Sequence, residues 1–236
     1  MILTARKVVD KCVGCSRRYQ RIFCNFGPEA LERLDQISVQ LALPGRAMVF
    51  KEGRKADAVY LVCDGQLKLY TSSREGRVMI VRLARSGDLL GLSAVLDGKE
   101  YEVCAETLAP TVLKRIARAD FIEFLHAFPE VGRHTSEVLA KEYRNIFQDA
   151  RRLALSGSAS GRLARLLLDW SAESGNGHAE MRFKMSLTHE EMAYMAGTSR
   201  ETVTRLLNRY ERGKLIAREG SSIIILNPDQ LDAFAG

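Results

Sequence analysis

The sequence predicts an α+β protein with an N-terminal antiparallel β-roll, one long helix and a C-terminal winged helix-turn-helix. Three observations support this prediction. Glycines recur every eight to twelve residues between positions 45 and 98, residues 130–155 have a helical pattern, and residues 186–216 combine helix caps with apolar helical spacing. The 236 residues are enough for two domains with separate cores.

The β-roll is predicted for residues 27–128, which begin with a short helical pattern at Pro28–Gln36. Short β-favouring runs then lie between the recurring glycines, and regular turns at this spacing are typical of an antiparallel barrel or roll. The runs are Ala47–Phe50, Ala58–Cys63, Gln66–Thr71, Val78–Ala84, Tyr101–Glu106 and Thr111–Ile116.

Residues 1–26 form a predicted N-terminal arm that holds three of the five cysteines, Cys12, Cys15 and Cys24. Residues 1–10 lack the apolar segment of a signal peptide, and no run of 18 apolar residues exists, so we expect a cytoplasmic protein without a membrane span. In that setting, cysteines more often serve metal, redox or core roles than structural disulfides.

Residues 129–155 are predicted to form one long helix with a narrow apolar seam. The seam consists of Val131, Val138, Leu139, Ile146, Ala150 and Leu153. Such a stripe on a helix of about 39 Å, at 1.5 Å per residue, favours a two-helix coiled coil and therefore a homodimer. The alternative is a helix that packs only on its own roll.

Residues 156–236 are predicted to form the winged helix-turn-helix. Thr188 with Glu191 matches a capping box, and Ser199 matches the cap of a second helix. The apolar residues of that second helix, which are Val203, Leu206, Leu207 and Tyr210, recur at i, i+3, i+4 and i+7. Residues 215–227 would form the wing, with a strand at 223–226.

The other face of the second helix carries Arg200, Glu201, Thr204 and Arg205. These residue types hydrogen-bond base edges: Arg pairs with guanine, a carboxylate accepts from cytosine, and Thr contacts thymine or either base. We therefore expect double-stranded DNA as the partner, and the net charge of +6 is compatible with it. A winged helix that binds another protein is the competing interpretation.

An enzyme is the least favoured class. The sequence contains no phosphate-binding loop of the Walker type, no HExxH, no GxSxG and no convincing Ser/His/Asp set. The glycines mark turns and do not form a nucleotide cradle.

Beyond residue 26 the chain resembles the CRP/FNR family of bacterial transcription regulators. The motifs are Pro44-Gly45, Phe50–Gly53, Tyr60–Gly65, Gly87–Gly91, Ala105–Thr107 and Thr198–Arg205. The resemblance implies a cyclic-nucleotide-binding-like roll, a homodimer and RNA polymerase as a further partner.

The resemblance also implies roles for residues of the reading helix. Arg200, Glu201 and Arg205 match the residues with which the CRP branch reads a TGTGA-like half-site of a palindrome. Thr188 and Ser199 would lie near phosphates, where they position the protein without reading sequence.

The candidate effector site of the roll differs from that of the cyclic-AMP branch. The cyclic-AMP branch has a Gly-Glu-Leu run and an Arg-Ser pair, whereas this chain has Gly91–Ala94 and Lys99–Glu102. The missing Arg and the added carboxylates argue against cyclic AMP. Lys99 is a candidate residue for binding another anion.

The FNR branch carries N-terminal cysteines that bind a [4Fe–4S] cluster, and Cys12, Cys15 and Cys24 lie in the matching place. The family's fourth ligand would fall near Leu113 or Lys114, so Cys104 is the nearest substitute and Cys63 the other. Four interpretations stay open: an iron–sulfur centre that senses oxygen, nitric oxide or redox state, a thiol–disulfide switch, a zinc site, or an arm without metal. The signal could also be an unidentified small molecule, or there could be none.

Overall fold

A computed structural model describes residues 11–76, 78–155, 158–173 and 181–234 of the chain. The chain divides into two compact units, Met1–Gly76 with Val81–Asn145, and Arg77–Ile80 with Ile146–Gly236. The division falls inside the long helix, whereas the sequence-based boundaries lie at its two ends.

The first unit is the predicted β-roll, which the structure confirms. The strands of the roll are β1 (Ser38–Leu43), β2 (Met48–Phe50), β3 (Ala58–Asp64), β4 (Gln66–Ser72), β5 (Val78–Arg85), β6 (Leu89–Leu90), β7 (Cys104–Thr107) and β8 (Thr111–Ala117). The first three residues of β5 fall in the second unit. The helices of the roll are α1 (Pro28–Ile37), α2 (Leu92–Asp97) and α3 (Arg118–Ala127).

The strands of the roll form two antiparallel four-stranded sheets, in the orders β1-β8-β3-β6 and β2-β7-β4-β5. In the first sheet β8 lies between β1 and β3, and Lys114 pairs with Gln40 on one side and Leu61 on the other. In the second sheet, Cys104 of β7 pairs with Tyr70 of β4. Lys114 and Cys104 therefore belong to different sheets.

The arm, residues 11–26, is part of the core of the first unit. It consists of three short 3-10 turns, Cys12–Gly14, Arg18–Gln20 and Ile22–Cys24. Phe23 is fully buried and packs against Phe121 of α3, and Phe26 packs edge-to-face against Phe124. Burial of aromatic side chains is a large favourable term, so the arm is anchored by packing.

The long helix α4 (Pro129–Leu155) confirms the sequence prediction. Its seam is divided between two roles. Val131 and Val138 are buried in the core of the roll and Leu139 packs against that core, whereas Ile146 is 59% exposed. The side chains of Ala150 and Leu153 lie outside the described residues.

The second unit is a winged helix-turn-helix, as predicted. Its elements are α5 (Ala159–Glu173), β9 (Met181–Lys184), α6 (His189–Ala196), α7 (Arg200–Arg212), β10 (Ile216–Glu219), β11 (Ser222–Ile225) and α8 (Pro228–Asp232). The three strands form an antiparallel sheet in the order β10-β11-β9. Among the described residues no helix combines the length and the apolar character needed to cross a membrane.

Candidate functional site

The first helix of the helix-turn-helix begins at the predicted capping box. The Thr188 hydroxyl accepts a hydrogen bond from the Glu191 N–H at 3.2 Å, and the Glu191 carboxylate accepts from the Thr188 N–H at 2.9 Å. These two bonds satisfy donors that a helix N-terminus otherwise leaves unpaired. The start of α6 is therefore fixed by local chemistry.

The turn after α6 depends on Gly197 and on a residue that sequence reasoning missed. Gly197 has a φ of 57°, a conformation that glycine adopts without steric cost. Arg162 of α5 donates from Nε to the Ala196 carbonyl at 2.7 Å, and its second guanidinium nitrogen reaches the Gly197 carbonyl at 3.2 Å. Arg162 thereby caps the last carbonyls of α6 and ties the turn to α5.

The second helix, α7, presents two distinct faces. Val203, Leu206, Leu207 and Tyr210 are all buried. Arg200, Glu201 and Arg205 are exposed, and Thr204 is half-buried beside them. The apolar stripe therefore fixes the rotation of α7 and turns the predicted reading residues outward.

Glu201 is held ionised at the start of α7. The pKa of its carboxyl is lowered by a hydrogen bond from its own backbone N–H and then by the Ser199 hydroxyl, with a smaller contribution from the positive charge of Arg200. An ionised carboxylate only accepts hydrogen bonds, which suits the amino group of a cytosine.

Thr204 is hydrogen-bonded to His189 of α6. The Thr204 hydroxyl donates to the Arg200 carbonyl at 3.0 Å, and its oxygen lies 2.8 Å from Nδ1 of His189. Because a hydroxyl carries one proton, the bond to the Arg200 carbonyl is compatible with the tautomer in which Nδ1 of His189 donates to Thr204. Thr204 can then meet a base only as an acceptor or through its methyl group.

His189 is half-buried, and its pKa is lowered by burial and by the nearby charges of Arg218 and Arg200. A lowered pKa keeps the imidazole neutral at pH 7. His189 therefore supports Thr204 from fifteen positions earlier in the chain.

The wing, residues 215–227, holds the middle of α7 in place. Arg218 of β10 donates to the Asn208 side-chain oxygen at 2.8 Å and to the Glu211 carboxylate at 2.5 Å. Asn208 lies on the exposed face of α7, one turn beyond Thr204. The wing and the reading face are therefore linked through side chains.

The cysteines of the arm lie beside β3. Arg21 donates to the Cys63 carbonyl at 2.8 Å and to the Ser86 hydroxyl, which itself donates to the same carbonyl at 2.7 Å. Cys15 lies close enough to Cys24 and Cys63 that its charge contributes to raising the pKa of both, after the larger effect of burial. The fourth thiol near the arm is therefore Cys63, which sequence reasoning ranked second.

Burial suppresses ionisation of three of these thiols. It raises the pKa of Cys12 to about 12 and that of Cys24 to about 11, and it raises the pKa of Cys63 as well. Thiols of this kind are protonated at neutral pH and react slowly. Cys15 is the half-exposed member of the group.

Cys12 is engaged by two charged residues. Lys114 of β8 donates from Nζ to the Cys12 sulfur at 2.9 Å and forms an ion pair with the Asp35 carboxylate of α1. The second carboxylate oxygen of Asp35 accepts from the Cys12 N–H at 2.7 Å. Burial alone raises the pKa of Asp35, but the hydrogen bonds from Lys114 and Cys12 outweigh it, so this pKa is lowered.

Cys104, the predicted fourth ligand, lies in the other sheet. Its sulfur accepts from the Glu52 N–H at 3.4 Å, and it lies beside Tyr70, whose pKa it helps to raise after the larger effect of burial. The structure does not bring Cys104 together with the three cysteines of the arm.

The arrangement does not fit a four-thiolate metal centre. In the described parts of the chain, no three His, Cys, Asp or Glu side chains are placed to bind one metal ion. A four-thiolate centre needs ionised sulfurs directed at the metal, but the Cys12 sulfur accepts a hydrogen bond from Lys114. The iron–sulfur cluster stays a prediction from the sequence.

The arm also contacts the start of α4. The Gly27 N–H donates to the Glu130 carboxylate at 3.2 and 3.3 Å, and Phe26 packs edge-to-face on His134 with ring centroids 5.2 Å apart. His134 is buried, with 5% of its surface exposed. A rearrangement of the arm would therefore directly change the contacts of the first turns of α4.

The segments Gly91–Ala94 and Lys99–Glu102, compared above with the cyclic-AMP branch, form a corner of the roll that contains the carboxylate of Glu102. Ser93 donates to Glu102 at 2.5 Å, so the hydroxyl and the carboxylate satisfy each other. Lys99, the candidate for binding another anion, forms an ion pair with Asp97 at 2.6 Å. The segment Lys99–Glu102 does not supply the arginine that a phosphate would need, and the guanidinium of Arg118 at this corner donates from Nε to the Val95 carbonyl at 2.8 Å.

Comparison with known families divides the chain in the same way as the fold. Residues 40–128 match the family model of a cyclic nucleotide-binding domain, and residues 161–234 match that of a Crp-like helix-turn-helix domain.

Relatives match over nearly the whole chain. It is 30% identical to the transcriptional activator protein Anr of Pseudomonas protegens, over 95% of this chain and 92% of the relative. It is 25% identical to the fumarate and nitrate reduction regulatory protein of Vibrio cholerae, over 95% and 90%. The solved structure of FixK2 from Bradyrhizobium japonicum superposes with a TM-score of 0.76 at 20% identity, covering 85% of this chain and 98% of that one, and supports the fold.

Proposed function

Because the chain belongs to the CRP/FNR family of transcription regulators, we propose that it binds, as a homodimer, a palindromic DNA site with TGTGA-like half-sites. The observation that carries this proposal is the exposure of Arg200, Glu201 and Arg205 on the first two turns of α7, which is anchored from behind by a buried apolar stripe. Both arginines would pair with guanine and Glu201 with cytosine.

Three further residues complete the reading surface. Thr188 and Ser199 lie at the exposed N-termini of α6 and α7, where hydroxyls and backbone donors are suited to phosphate contacts. Thr204, with its hydroxyl proton already used, would contact a base as an acceptor or through its methyl group. RNA polymerase is the further partner we expect for a regulator of this type.

The homodimer would form through α4. Tyr143, Ile146 and Phe147 are 72%, 59% and 62% exposed in the single chain, and their i, i+3, i+4 spacing puts them on one face. Two copies paired along this face would bury it and present two reading helices. That arrangement suits half-sites about one helical turn of DNA apart.

A salt series distinguishes DNA binding from the alternative, in which the winged helix binds a protein. We expect tight binding to a palindromic TGTGA duplex, with log affinity falling steeply against log salt because each phosphate contact releases counterions. The measurement is fluorescence anisotropy with a scrambled duplex of equal length as the control. Equal, salt-insensitive affinity for both duplexes would favour the protein-binding alternative.

The signal is proposed to be redox state or a gas, received through the cysteines of the arm. The arm supports this because it contacts the helix that would form the dimer. We favour a thiol switch in which half-exposed Cys15 forms a disulfide with Cys24 or Cys63, because Cys15 lies close enough to contribute to the raised pKa of both. Two thiols would lose two protons and two electrons to an oxidant such as a peroxide.

Anaerobic purification followed by iron, sulfide and zinc analysis separates the alternatives. For the thiol switch we expect metal-free protein with five thiols that titrate after unfolding, and peroxide treatment should remove two of them and change DNA affinity. About four irons and four sulfides per chain would instead establish a cubane cluster, and stoichiometric zinc a structural site. If neither metal nor thiol oxidation affects DNA binding, the signal would be another small molecule or none.

A further inference from the structure

Lys114 is a buried cation at the junction of the arm, α1 and the first sheet. It occupies the middle of the central strand β8, and its side chain is 6% exposed. A buried ammonium is strongly destabilising unless it is paired and hydrogen-bonded. Its partners therefore define its role.

The partners come from two other segments and close a network. Lys114 forms an ion pair with one oxygen of Asp35 and donates to the Cys12 sulfur at 2.9 Å. The other oxygen of Asp35 accepts from the Cys12 N–H at 2.7 Å. Both the backbone and the side chain of Cys12 are thus held by residues that do not belong to the arm.

We propose that Lys114, Asp35 and Cys12 form an arm clamp that holds the first turn of the cysteine arm, Cys12–Gly14, closed on the roll without a metal ion. The ammonium supplies the positive charge at the Cys12 sulfur that a metal would otherwise supply. Cys12 is inaccessible to electrophiles and to thiophilic cations until the clamp opens. Among the cysteines of the arm, Cys15 therefore reacts first, and Lys114 controls access to Cys12.

The clamp has a consequence that a purely electrostatic role for Lys114 does not have. A cation beside a thiol favours the ionised, reactive form. Removal of Lys114 would slow the reaction of Cys12 if the arm stayed closed, but would accelerate it if the arm opened. Whether removal of Lys114 slows or accelerates the reaction of Cys12 therefore identifies the role of Lys114.

Alkylation of the chelator-treated, reduced, full-length protein tests the clamp. Each cysteine is followed with iodoacetamide and peptide mass spectrometry at pH 7.5. In the wild type we expect Cys12 to react at least about tenfold more slowly than Cys15, as for a site protected by local structure. In Lys114→Met we expect Cys12 to react at least about tenfold faster than in the wild type, because an arm without its clamp opens locally.

Two further variants make the result specific. Asp35→Asn should accelerate Cys12 in the same direction, because it removes the charge that holds Lys114. Lys68→Met is the matched control: Lys68 is also a strand cation with a 16% exposed side chain, paired with Glu106 at 3.1 Å in the other sheet. This control should leave Cys12 unchanged.

The buried cysteines report whether a variant has unfolded. Cys24 and Cys63 should stay protected in Lys114→Met, since their burial depends on the core of the roll. If they stay protected and Cys12 reacts at the wild-type rate or more slowly, the clamp is refuted. It is also refuted if Cys12 reacts as fast as Cys15 in the metal-free wild type. Operator binding is measured separately, so failure of the clamp and failure of the proposed DNA function are distinguishable.

Discussion

Replacing Ile146 and Phe147 with glutamate is expected to convert the protein from a dimer to a monomer. Complete burial of a large apolar side chain contributes about 1.5–3 kcal/mol. Because Ile146 and Phe147 are 59% and 62% exposed, these two residues on each of two protomers contribute up to about 4–7 kcal/mol to association. Loss of the lower value weakens dimerisation by roughly 10³-fold. Sedimentation of the variant, together with its affinity for a palindromic operator, measures the effect.

Val39→Glu provides the matched control for the dimer. Val39 is 60% exposed on β1, and so is as exposed as Ile146 but lies outside α4. This variant should remain dimeric and should bind the operator as the wild type does. A double variant that still sediments as a dimer would show that α4 is not the interface.

Arg205→Ala is expected to remove recognition of one guanine in each half-site. A bidentate Arg–guanine pair contributes about 1–3 kcal/mol of discrimination, which corresponds to a factor of roughly 5 to 150 at that base pair. The measurement compares the affinity of each protein for the TGTGA operator and for an operator in which that guanine is replaced. The wild type should discriminate between the two, and the variant should bind them equally.

Arg212→Ala removes the same charge from the other end of the same helix. Arg212 is exposed, and its Nε donates to the Asn208 carbonyl at 3.3 Å. This variant should bind both operators somewhat more weakly but should keep the full discrimination. Retained discrimination in Arg205→Ala would mean that Arg205 does not read that base.

The sequence predicted the second unit well because its signals are local. The Thr188 capping box, the Ser199 cap and the stripe from Val203 to Tyr210 lie within one or two turns of one another, and the structure contains each of them. The contacts that hold this frame are not local. Arg162 reaches α6 from thirty-four positions away, and His189 reaches Thr204 from fifteen.

In the roll the sequence predicted most strands but missed some short elements. Strand β1 was missed because several of its side chains are exposed, so no clean apolar alternation marks it. The two-residue strand β6 and the short helix α2 are too brief to generate a period. The predicted strand at 101–106 begins only at Cys104, since Tyr101 is buried and its hydroxyl donates to the Ala58 carbonyl.

The cysteine cluster shows most clearly what sequence spacing cannot supply. Distance along the chain favoured Cys104 over Cys63, whereas pairing of the strands puts Cys104 in the second sheet and leaves Cys63 beside the arm. Burial of Lys114 could not be predicted from the sequence, because a lysine in a strand pattern is normally solvated. Its burial follows from partners 79 and 102 positions away.

Selection of binding sites from random double-stranded DNA tests the central proposal most directly. The wild-type protein, without any operator chosen in advance, should enrich a palindrome with two TGTGA-like half-sites about one helical turn apart. Each protein–DNA complex should contain two chains. Enrichment of an unrelated or non-palindromic sequence, or no enrichment at all, would contradict the assignment of Arg200, Glu201 and Arg205 as the reading residues of a dimer.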